Sequence, residues 1–279
     1  MKKMMVILLA MMMVLGLAAC GSNGGGKDRL AQIKEKGYLE IYPEPYIAPN
    51  EFIDPTKPEG ENIVGYDIEI AKYIADKIGV ELKITPLEFS AVLTGAAEGK
   101  CDFAISAMAY SPSRAEAMRM SDVYYSSGTG YGFLTRKEDV EKYKDVASLE
   151  GAIVITQSGS VQEALYNDQI KGKVNIKEFK LVSSMTDGYL AVSEGKADVC
   201  VVSTASAQLY ADANGGLAIP EFRLEVDPNM NGTCIGMAKE GTESLMEIVN
   251  QCIKELNDAG KIEAWRDEYT DYAVELGIE

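Results

Sequence analysis

The sequence predicts an α/β protein built from two similar lobes that are joined by a two-segment hinge. The main observation is a repeat, because Glu98–Ser106 (EGKCDFAIS) and Glu194–Ser203 (EGKADVCVVS) each combine a helix end, a glycine and an apolar run of strand length. Helical and strand periods also alternate along the chain, as they do in βαβ units. We predict that lobe 1 comprises residues 29–126 and 227–279 and that lobe 2 comprises residues 127–226, with a cleft between facing strand ends.

The first lobe begins with a predicted strand at Tyr38–Tyr42. Apolar residues at helical spacing then predict an amphipathic helix that ends at Gly79. An alternating strand from Val80 to Ile84 and a helix from Ser90 to Glu98 follow. The run Cys101–Ala107 is nearly unbroken in apolar residues and has the length of a strand that is covered on both faces.

A helix start rich in hydrogen-bond donors follows that strand. Ser111 can cap the helix, Pro112 suits its first position, and Arg114 falls in its first turn. Backbone N–H groups, the positive end of the helix dipole and a guanidinium group therefore meet beyond a strand end, where open α/β sheets bind ligands. The pattern predicts a carboxylate site at Arg114. The alternative is a capped helix in which Arg114 pairs with a surface acid.

The second lobe repeats the alternation and adds a second donor-rich loop. The loop QSGS places Gly159 and Ser160 before a helix, which predicts a smaller anion-binding corner. The chain should return to lobe 1 near residues 224–227, and Cys234–Ala238 should be the last strand before two closing helices. The predicted elements of lobe 2 are the strands Gly151–Thr156, one containing Ile176, and Asp198–Val202, and the helices Val161–Leu165 and Asp187–Ser193.

Composition excludes several classes of function. The 279 residues carry a net charge of −16, which argues against nucleic acid or anionic lipid as a partner. The chain contains no histidine, so it lacks the commonest general base, the commonest zinc ligand and any Ser/His or Cys/His nucleophile pair. No cysteine spacing indicates a metal site, and we predict neither a metal nor a cofactor.

The N-terminus predicts export and membrane anchoring. Lys2 and Lys3 precede the short apolar run Met4–Ala19, which is typical of a signal peptide rather than a membrane span. The sequence LAAC, ending at Cys20, resembles a lipobox, which implies a signal peptide over residues 1–20 and a palmitate-type lipid anchor on Cys20. The alternative is an ordinary secretory signal. Residues 21–28 (GSNGGGKD) predict a flexible tether.

The other cysteines are Cys101, Cys200, Cys234 and Cys252. An even number in an exported protein permits disulfides, but Cys101 and Cys200 lie in apolar strand patterns and a chain of this size needs no covalent staples. We therefore favour buried free thiols.

Three linked motifs resemble the family-3 extracellular solute-binding proteins. They are GYDIEIAKYIA, EGKCDFAISAMAYSPSR and SDVYY, in the order in which the family has them, and the likeness spans nearly the whole mature chain. The resemblance implies a periplasmic-binding-protein-like (type II) fold and a monomeric receptor that passes a polar amino acid to the permease of an ABC importer.

The resemblance also implies roles for individual residues. Arg114 aligns with the arginine that binds a ligand carboxylate, and Ser106 with a residue on the ammonium side. Phe89 aligns with an apolar platform beneath the ligand side chain. Glu44, or Tyr46 beside it, aligns with the wall of the side-chain pocket.

Three positions depart from the family pattern. Ala109 stands where a Ser or Thr hydroxyl is usual, Val161 stands where Thr is frequent, and Ser203 stands where many members have the aspartate that pairs with the α-ammonium. Loss of that charge-assisted bond typically removes about 1.5–3 kcal/mol. Either Glu44 or Asp187 substitutes, or the ligand is a carboxylate that is not a standard amino acid.

We therefore predict a binding protein, not an enzyme: a lipoprotein that captures an amino acid or a similar small carboxylate by hinge closure and delivers it to a permease. One alternative is a ligand-sensing domain that acts on a membrane sensor. Another is a dehydratase, since a few proteins that resemble this fold have that activity. No carboxylates are paired here at a spacing that indicates acid–base catalysis.

Overall fold

The computed structural model describes residues 27–126, 130–226 and 232–278. The predicted signal peptide, Cys20 and most of the predicted tether lie outside these ranges. The helix that follows the tether begins at Arg29 and is capped by the Asp28 carboxylate, which accepts from the backbone N–H of Leu30 at 2.9 Å. In the part of the chain that the structure describes, no helix has the length and apolarity needed to cross a membrane.

The helices and strands alternate through most of the chain. The helices are α1 Arg29–Lys36, α2 Tyr66–Ile78, α3 Phe89–Ala97, α4 Pro112–Ala117, α5 Val161–Gln169, α6 Met185–Ser193, α7 Thr204–Asn214, α8 Glu243–Asp258 and α9 Lys261–Leu276. The strands are β1 Tyr38–Tyr42, β2 Tyr46–Ile47, β3 Glu51–Ile53, β4 Ile63–Val64, β5 Glu81–Ile84, β6 Phe103–Ala104, β7 Arg119–Met120, β8 Tyr131–Arg136, β9 Ile153–Gln157, β10 Glu178–Val182, β11 Val199–Ser203, β12 Leu217–Ala218, β13 Arg223–Leu224 and β14 Gly236–Met237.

One sheet forms the centre of the first lobe, in the order β5-β1-β6-β14-β7. Strand β1 is parallel to β5 and β6, while β14 is antiparallel to β6 and β7. The apolar face of α2 packs with α8 on this sheet, in a core that includes Ile68, Ile74, Val249 and Ile253. The strand predicted at Cys234–Ala238 is therefore present over Gly236–Met237.

A second sheet forms the other lobe, in the order β10-β9-β11-β8-β12, with β13 also paired to β8. The chain passes from the first sheet to the second between β7 and β8 and returns between β13 and β14. Both predicted hinge segments contain residues outside the described ranges, at 127–129 and 227–231. A small antiparallel sheet, β2-β3-β4, was not predicted from the sequence.

The repeated motif has the same structural role in both lobes. Asp102 and Asp198 each precede the central strand of a sheet, and each carboxylate accepts a backbone N–H from the neighbouring parallel strand, of Glu40 at 2.6 Å and of Ile153 at 2.8 Å. Lys36 and Arg29 pair with Asp102, and Arg136 pairs with Asp198. The predicted similarity of the two lobes therefore extends to their internal ion pairs.

Two predicted strands differ from the structure. The run Cys101–Ala107 is buried, as expected, but only Phe103–Ala104 is paired, because the chain turns at Ala107, whose φ is 44°. The predicted strand containing Ile176 begins instead at Glu178, because its partner β9 begins at Ile153, which is opposite Glu178 in the register. A turn limits the first strand and the pairing partner limits the second, and neither limit is visible in the apolar pattern.

The four described cysteines are free and buried, which confirms the prediction for Cys101, Cys200, Cys234 and Cys252. Burial raises the pKa of the Cys101 and Cys234 thiols to about 12 and that of the Cys252 thiol to about 11. These side chains therefore act as small apolar core residues.

Candidate functional site

A pocket of about 170 Å³ lies between the two lobes. Its walls come from the carboxyl ends of β6 and β9 and from the starts of α4, α5 and α7, which are the positions where α/β sheets place ligand sites. Seven of the nine predicted binding residues line it: Phe89, Ser106, Ala109, Arg114, Ser160, Val161 and Ser203.

Arg114 is the central charged group of this pocket. The hydroxyl oxygen of Ser111 caps α4 by accepting from the backbone N–H of Arg114 at 3.3 Å, and Pro112 begins the helix, as predicted. The side chain is 7% exposed and lies over the Phe89 ring, with 5.3 Å from Cζ to the ring centroid. Phe89 therefore contacts the guanidinium group as well as the pocket.

The guanidinium group of Arg114 contacts both lobes. Nη1 donates to the carbonyl oxygen of Ala109 at 2.6 Å, and Nη2 donates to the carbonyl oxygen of Gly159 at 3.0 Å. Among the described residues, no carboxylate lies within ion-pair distance of it. Burial without a counterion lowers the pKa of Arg114 to about 10. A buried cation that is hydrogen-bonded only to neutral carbonyl groups creates a site for an anion.

The opposite wall is the loop and helix start that follow β9. The Ser160 hydroxyl accepts from the backbone N–H of Glu163 at 3.1 Å, and the Glu163 carboxylate accepts from the backbone N–H of Gly159 at 2.7 Å. One backbone N–H group of the predicted anion-binding corner, that of Gly159, is therefore already hydrogen-bonded to Glu163. Val161 and Gln162 also line the pocket, and the first N–H groups of a helix have no partner within that helix.

Ser106 lines the pocket, but its hydroxyl group is engaged within lobe 1. It donates to Glu51 Oε1 at 2.8 Å and accepts from the backbone N–H of Glu44 at 2.9 Å. The side chain therefore fixes the end of β1 relative to β6. Its predicted contact with the ammonium side of a ligand stays a prediction.

Glu44 lies beside the pocket and is separated from it by Gln157 of the second lobe. Its Oε1 accepts from Gln157 Nε2 at 2.6 Å, and Gln157 is a pocket residue. Glu44 Oε2 is buried and has no hydrogen-bond partner among the described residues. Burial raises the pKa of Glu44 to about 7, the Gln157 hydrogen bond opposes that shift, and the charges of Glu88 and Asp187 add to it.

Tyr46 does not line this pocket. It is 51% exposed and lines a neighbouring groove between the lobes, whereas Ile47, the next residue of the same strand, lines both the groove and the pocket. The Tyr46 carbonyl oxygen accepts from the Thr186 hydroxyl at 3.3 Å, which adds a contact between the lobes.

Several pocket residues were not predicted from the sequence. They include Tyr66, Tyr125, Tyr131, Tyr189 and Arg266, the last from α9. Nothing in the local pattern separates these tyrosines from the others among the 15 in the chain. Within residues 27–126, 130–226 and 232–278, no group of three or more Asp, Glu, Cys or His side chains is arranged to hold a metal ion.

Residues 39–272 match the family model of the bacterial extracellular solute-binding proteins, family 3. The chain belongs to this family. The resemblance drawn from the three motifs is confirmed, and an extracellular family implies a location outside the cytoplasm.

Relatives of this solute-binding protein include amino-acid-binding components of ABC transporters. The arginine-binding extracellular protein ArtP of Bacillus subtilis is 27% identical in an alignment of 277 positions that covers 96% of this chain and 98% of ArtP. The ABC transporter glutamine-binding protein GlnH of the same organism is 25% identical, over 91% of this chain and 92% of GlnH.

Solved structures show the same fold. An amino acid ABC transporter substrate-binding protein from Streptococcus pneumoniae, bound to L-arginine, superposes with a TM-score of 0.78 at 31% identity, over 88% of this chain and 98% of that one. ArgBP from T. maritima, as a P235GK mutant, gives a TM-score of 0.75 at 27% identity, over 87% and 99%. The predicted two-lobed, type II periplasmic-binding-protein-like fold is confirmed.

In this solute-binding protein, the three departures from the family pattern all face the pocket. Ala109, Val161 and Ser203 line it, and none of them supplies a charge. The described lining residues include two arginines, Arg114 and Arg266, and no Asp or Glu. Asp187, one of the two candidate substitutes for the missing acid, is not among them, and Glu44 reaches the pocket wall through Gln157.

Proposed function

We propose that this protein is a lipid-anchored receptor that closes its two lobes on a small carboxylate solute, an amino acid or a close analogue, and delivers it to an ABC permease. The observation that carries the proposal is the buried Arg114 guanidinium, which lies between the lobes and has no carboxylate partner in the described part of the chain. Uncompensated buried charge is costly, so a bound carboxylate gains more there than at a surface arginine.

Donors from both lobes converge on the same space. Arg114 belongs to α4 of the first lobe, while the N-terminal turn of α5, at Val161 and Gln162, belongs to the second. The helix start adds backbone N–H groups and the positive end of a helix dipole. A carboxylate held by both sets of donors requires the lobes to be together.

The pocket offers a less clear partner for a cationic group of the ligand than it does for a carboxylate. Glu44 Oε2 is buried without a donor, so a ligand ammonium or guanidinium group that displaces the Gln157 side chain would satisfy it. Relatives that bind L-arginine make this amino acid the first compound to test. A carboxylate solute without an ammonium group is the other candidate, because Ser203 supplies no charge.

Ligand contacts from both lobes favour the closed conformation over the open one. Hydrogen bonds between described residues already cross between the lobes, from Arg114 to Gly159, from Gln157 to Glu44 and from Thr186 to Tyr46. A ligand adds its own contacts to these, and a permease that recognises the closed shape receives only loaded protein. The lipobox at Cys20 supports attachment to the membrane, and the family supports the partnership with an ABC transporter.

A thermal-shift screen of the standard amino acids and small mono- and dicarboxylates tests the proposal, since a compound that binds only the folded protein raises its melting temperature. We expect at least one hit, and we expect Arg114→Ala to weaken its binding by about 3 kcal/mol, or roughly 100-fold, in calorimetry. The matched control is Arg119→Ala, which removes an arginine that pairs with Glu243 outside the pocket. Equal affinities for the wild type and Arg114→Ala would overturn the carboxylate assignment.

A further inference from the structure

Two carboxyl groups meet beneath the floor of the cleft. Glu51, at the start of β3, and Asp67, in the first turn of α2, are both 0% exposed, and each carboxyl group shifts the pKa of the other, so the two are close neighbours. Two buried carboxylates with no cation between them repel each other, so a proton on one of them stabilises the pair.

The other partners indicate which group holds the proton. Asp67 Oδ2 accepts from the backbone N–H of Ala107 at 2.9 Å and from the Tyr124 hydroxyl at 2.9 Å, and its Oδ1 accepts from Asn50 Nδ2 at 3.4 Å. Glu51 Oε1 accepts from Ser106 at 2.8 Å, but its Oε2 is buried and has no donor. Asp67 thus has the donors that an anion needs, whereas Glu51 Oε2 has no donor, so Glu51 is the group that carries the proton.

The surrounding groups are acidic or neutral. The titratable side chains that face the pair are Glu44, Tyr66 and Tyr124, and in the described part of the chain no lysine or arginine forms an ion pair with either carboxyl group. Burial and the charge of Asp67 raise the pKa of Glu51 well above its usual value, and burial also raises the pKa of Asp67.

The pair holds a strained turn that faces the pocket. Ala107 has φ 44°, in the left-handed region that non-glycine residues rarely adopt, and it lines the pocket between Ser106 and Ala109. Such a conformation is strained and persists only where its surroundings impose it. The hydrogen bond from the Ala107 N–H to Asp67 fixes this turn, and Tyr124 ties the same carboxylate to the chain just before it crosses to the second lobe.

We infer that Glu51 and Asp67 share one proton at neutral pH and that this pair holds the Ala107 turn in the shape of the cleft floor, as positioning residues of the binding site. The inference depends on the proposed function only in treating the cleft as a ligand site. Loss of the proton would place two repelling carboxylates beneath the turn and release Ala107.

The test uses ligand-free protein, so it does not depend on finding the solute. Glu44 also titrates near neutral pH, so the experiment is done in the Glu44→Gln background. Infrared spectra at neutral pH should show the carbonyl band of a protonated carboxyl group in Glu44→Gln, and the double variant Glu44→Gln/Glu51→Gln should lack it. Adding the exposed substitution Glu243→Gln instead should leave the band in place. Absence of the band in Glu44→Gln, or its persistence in the double variant with Glu51→Gln, would overturn the shared proton.

Hydrogen exchange of the Ala107 amide tests the positioning role. We expect Asp67→Asn to speed this exchange at least about tenfold while the core amides of α2 stay protected, because a single amide oxygen cannot replace all the acceptor contacts of Asp67. Glu51→Gln keeps a donor to Asp67, so its Ala107 exchange should match the wild type at neutral pH and stay slower than the wild type at alkaline pH. Unchanged Ala107 exchange in a folded Asp67→Asn variant, or parallel pH profiles for Glu51→Gln and the wild type, would sink the inference. If Asp67→Asn does not fold, the Glu51→Gln profile decides.

Discussion

The side-chain amide of Gln157 donates to the carboxylate of Glu44 at 2.6 Å, so that a buried hydrogen bond joins the end of the first strand of one sheet to the end of β9 in the other. The residues are 113 positions apart in the chain. Burial raises the pKa of Glu44 to about 7, which places its titration close to neutral pH.

Glu44 should make stability depend on pH. Its folded-state pKa lies above its unfolded value of 4.5, so its favourable contribution is fully present below about pH 4.5 and is lost as pH rises through about 7. The shift corresponds to a loss on the order of 3 kcal/mol at most. Urea unfolding at about pH 5 and about pH 8 should show this loss in the wild type and a smaller one in Glu44→Gln.

The exposed variant Glu141→Gln is the control for that experiment and should follow the wild type. The Glu51–Asp67 pair is present in all three proteins, so its contribution cancels in the comparison. Parallel pH profiles for the wild type and Glu44→Gln would show that Glu44 titrates normally.

Gly65 should not tolerate a side chain. Its φ of 135° and ψ of 167° are essentially restricted to glycine, and an added Cβ would lie 2.6 Å from the carbonyl carbon of Asn50 and 2.8 Å from Cα of Glu51. We expect Gly65→Ala to lower the free energy of unfolding by about 3 kcal/mol or more.

Gly79 provides the matched comparison. It also has a positive φ, of 84°, but an added Cβ would meet nothing within 4 Å, so Gly79→Ala should cost only about 1 kcal/mol, the strain of the left-handed conformation. Chemical denaturation of both variants separates backbone strain from the clash. Similar losses in the two proteins would contradict the packing at Gly65.

The thiols should be unreactive in the native protein. Cys101, Cys200, Cys234 and Cys252 are buried and free, and burial raises the pKa of each one, which removes the reactive thiolate. Ellman's reagent should react with them only after denaturant is added, without prior reduction. Rapid labelling of the native form, or a need for reductant, would contradict buried free thiols.

Cys20→Ser should release the protein from membranes. The proposed lipid anchor is on Cys20, the last residue of the lipobox-like sequence LAAC, and residues 21–28 that follow it are polar or small. Fractionation should find the variant outside the membrane fraction and the control Ser22→Ala within it. Membrane retention of Cys20→Ser would mean that another element anchors the chain.

The sequence predicted correctly those parts of the fold that short sequence patterns determine. The repeat at Glu98 and Glu194 located the two central strands, and the SPSR motif located a capped helix start with Arg114 in its first turn. These features depend on residues close together in the chain, where helix and strand periods and capping chemistry act.

The candidate site was predicted less completely, for the same reason. Tyr46 and Ile47 are adjacent, and the sequence did not show that Ile47, rather than Tyr46, lines the pocket. Tyr131, Tyr189 and Arg266 reach the pocket from elements that carry no local signal. The Glu44–Gln157 bond joins two lobes, and the pairing of Glu51 with Asp67 depends on how β3 packs against α2.

By itself, the amino-acid sequence determined two α/β lobes and an arginine at a helix start beyond a strand. These properties follow from periodicity, capping and composition, which operate over a few residues. Only the tertiary structure decided that Arg114 is buried between both lobes with no carboxylate partner among the described residues, and that Glu51 and Asp67 are buried close together. Burial and the removal of water set the cost of a charge, and both depend on residues brought together from distant parts of the chain.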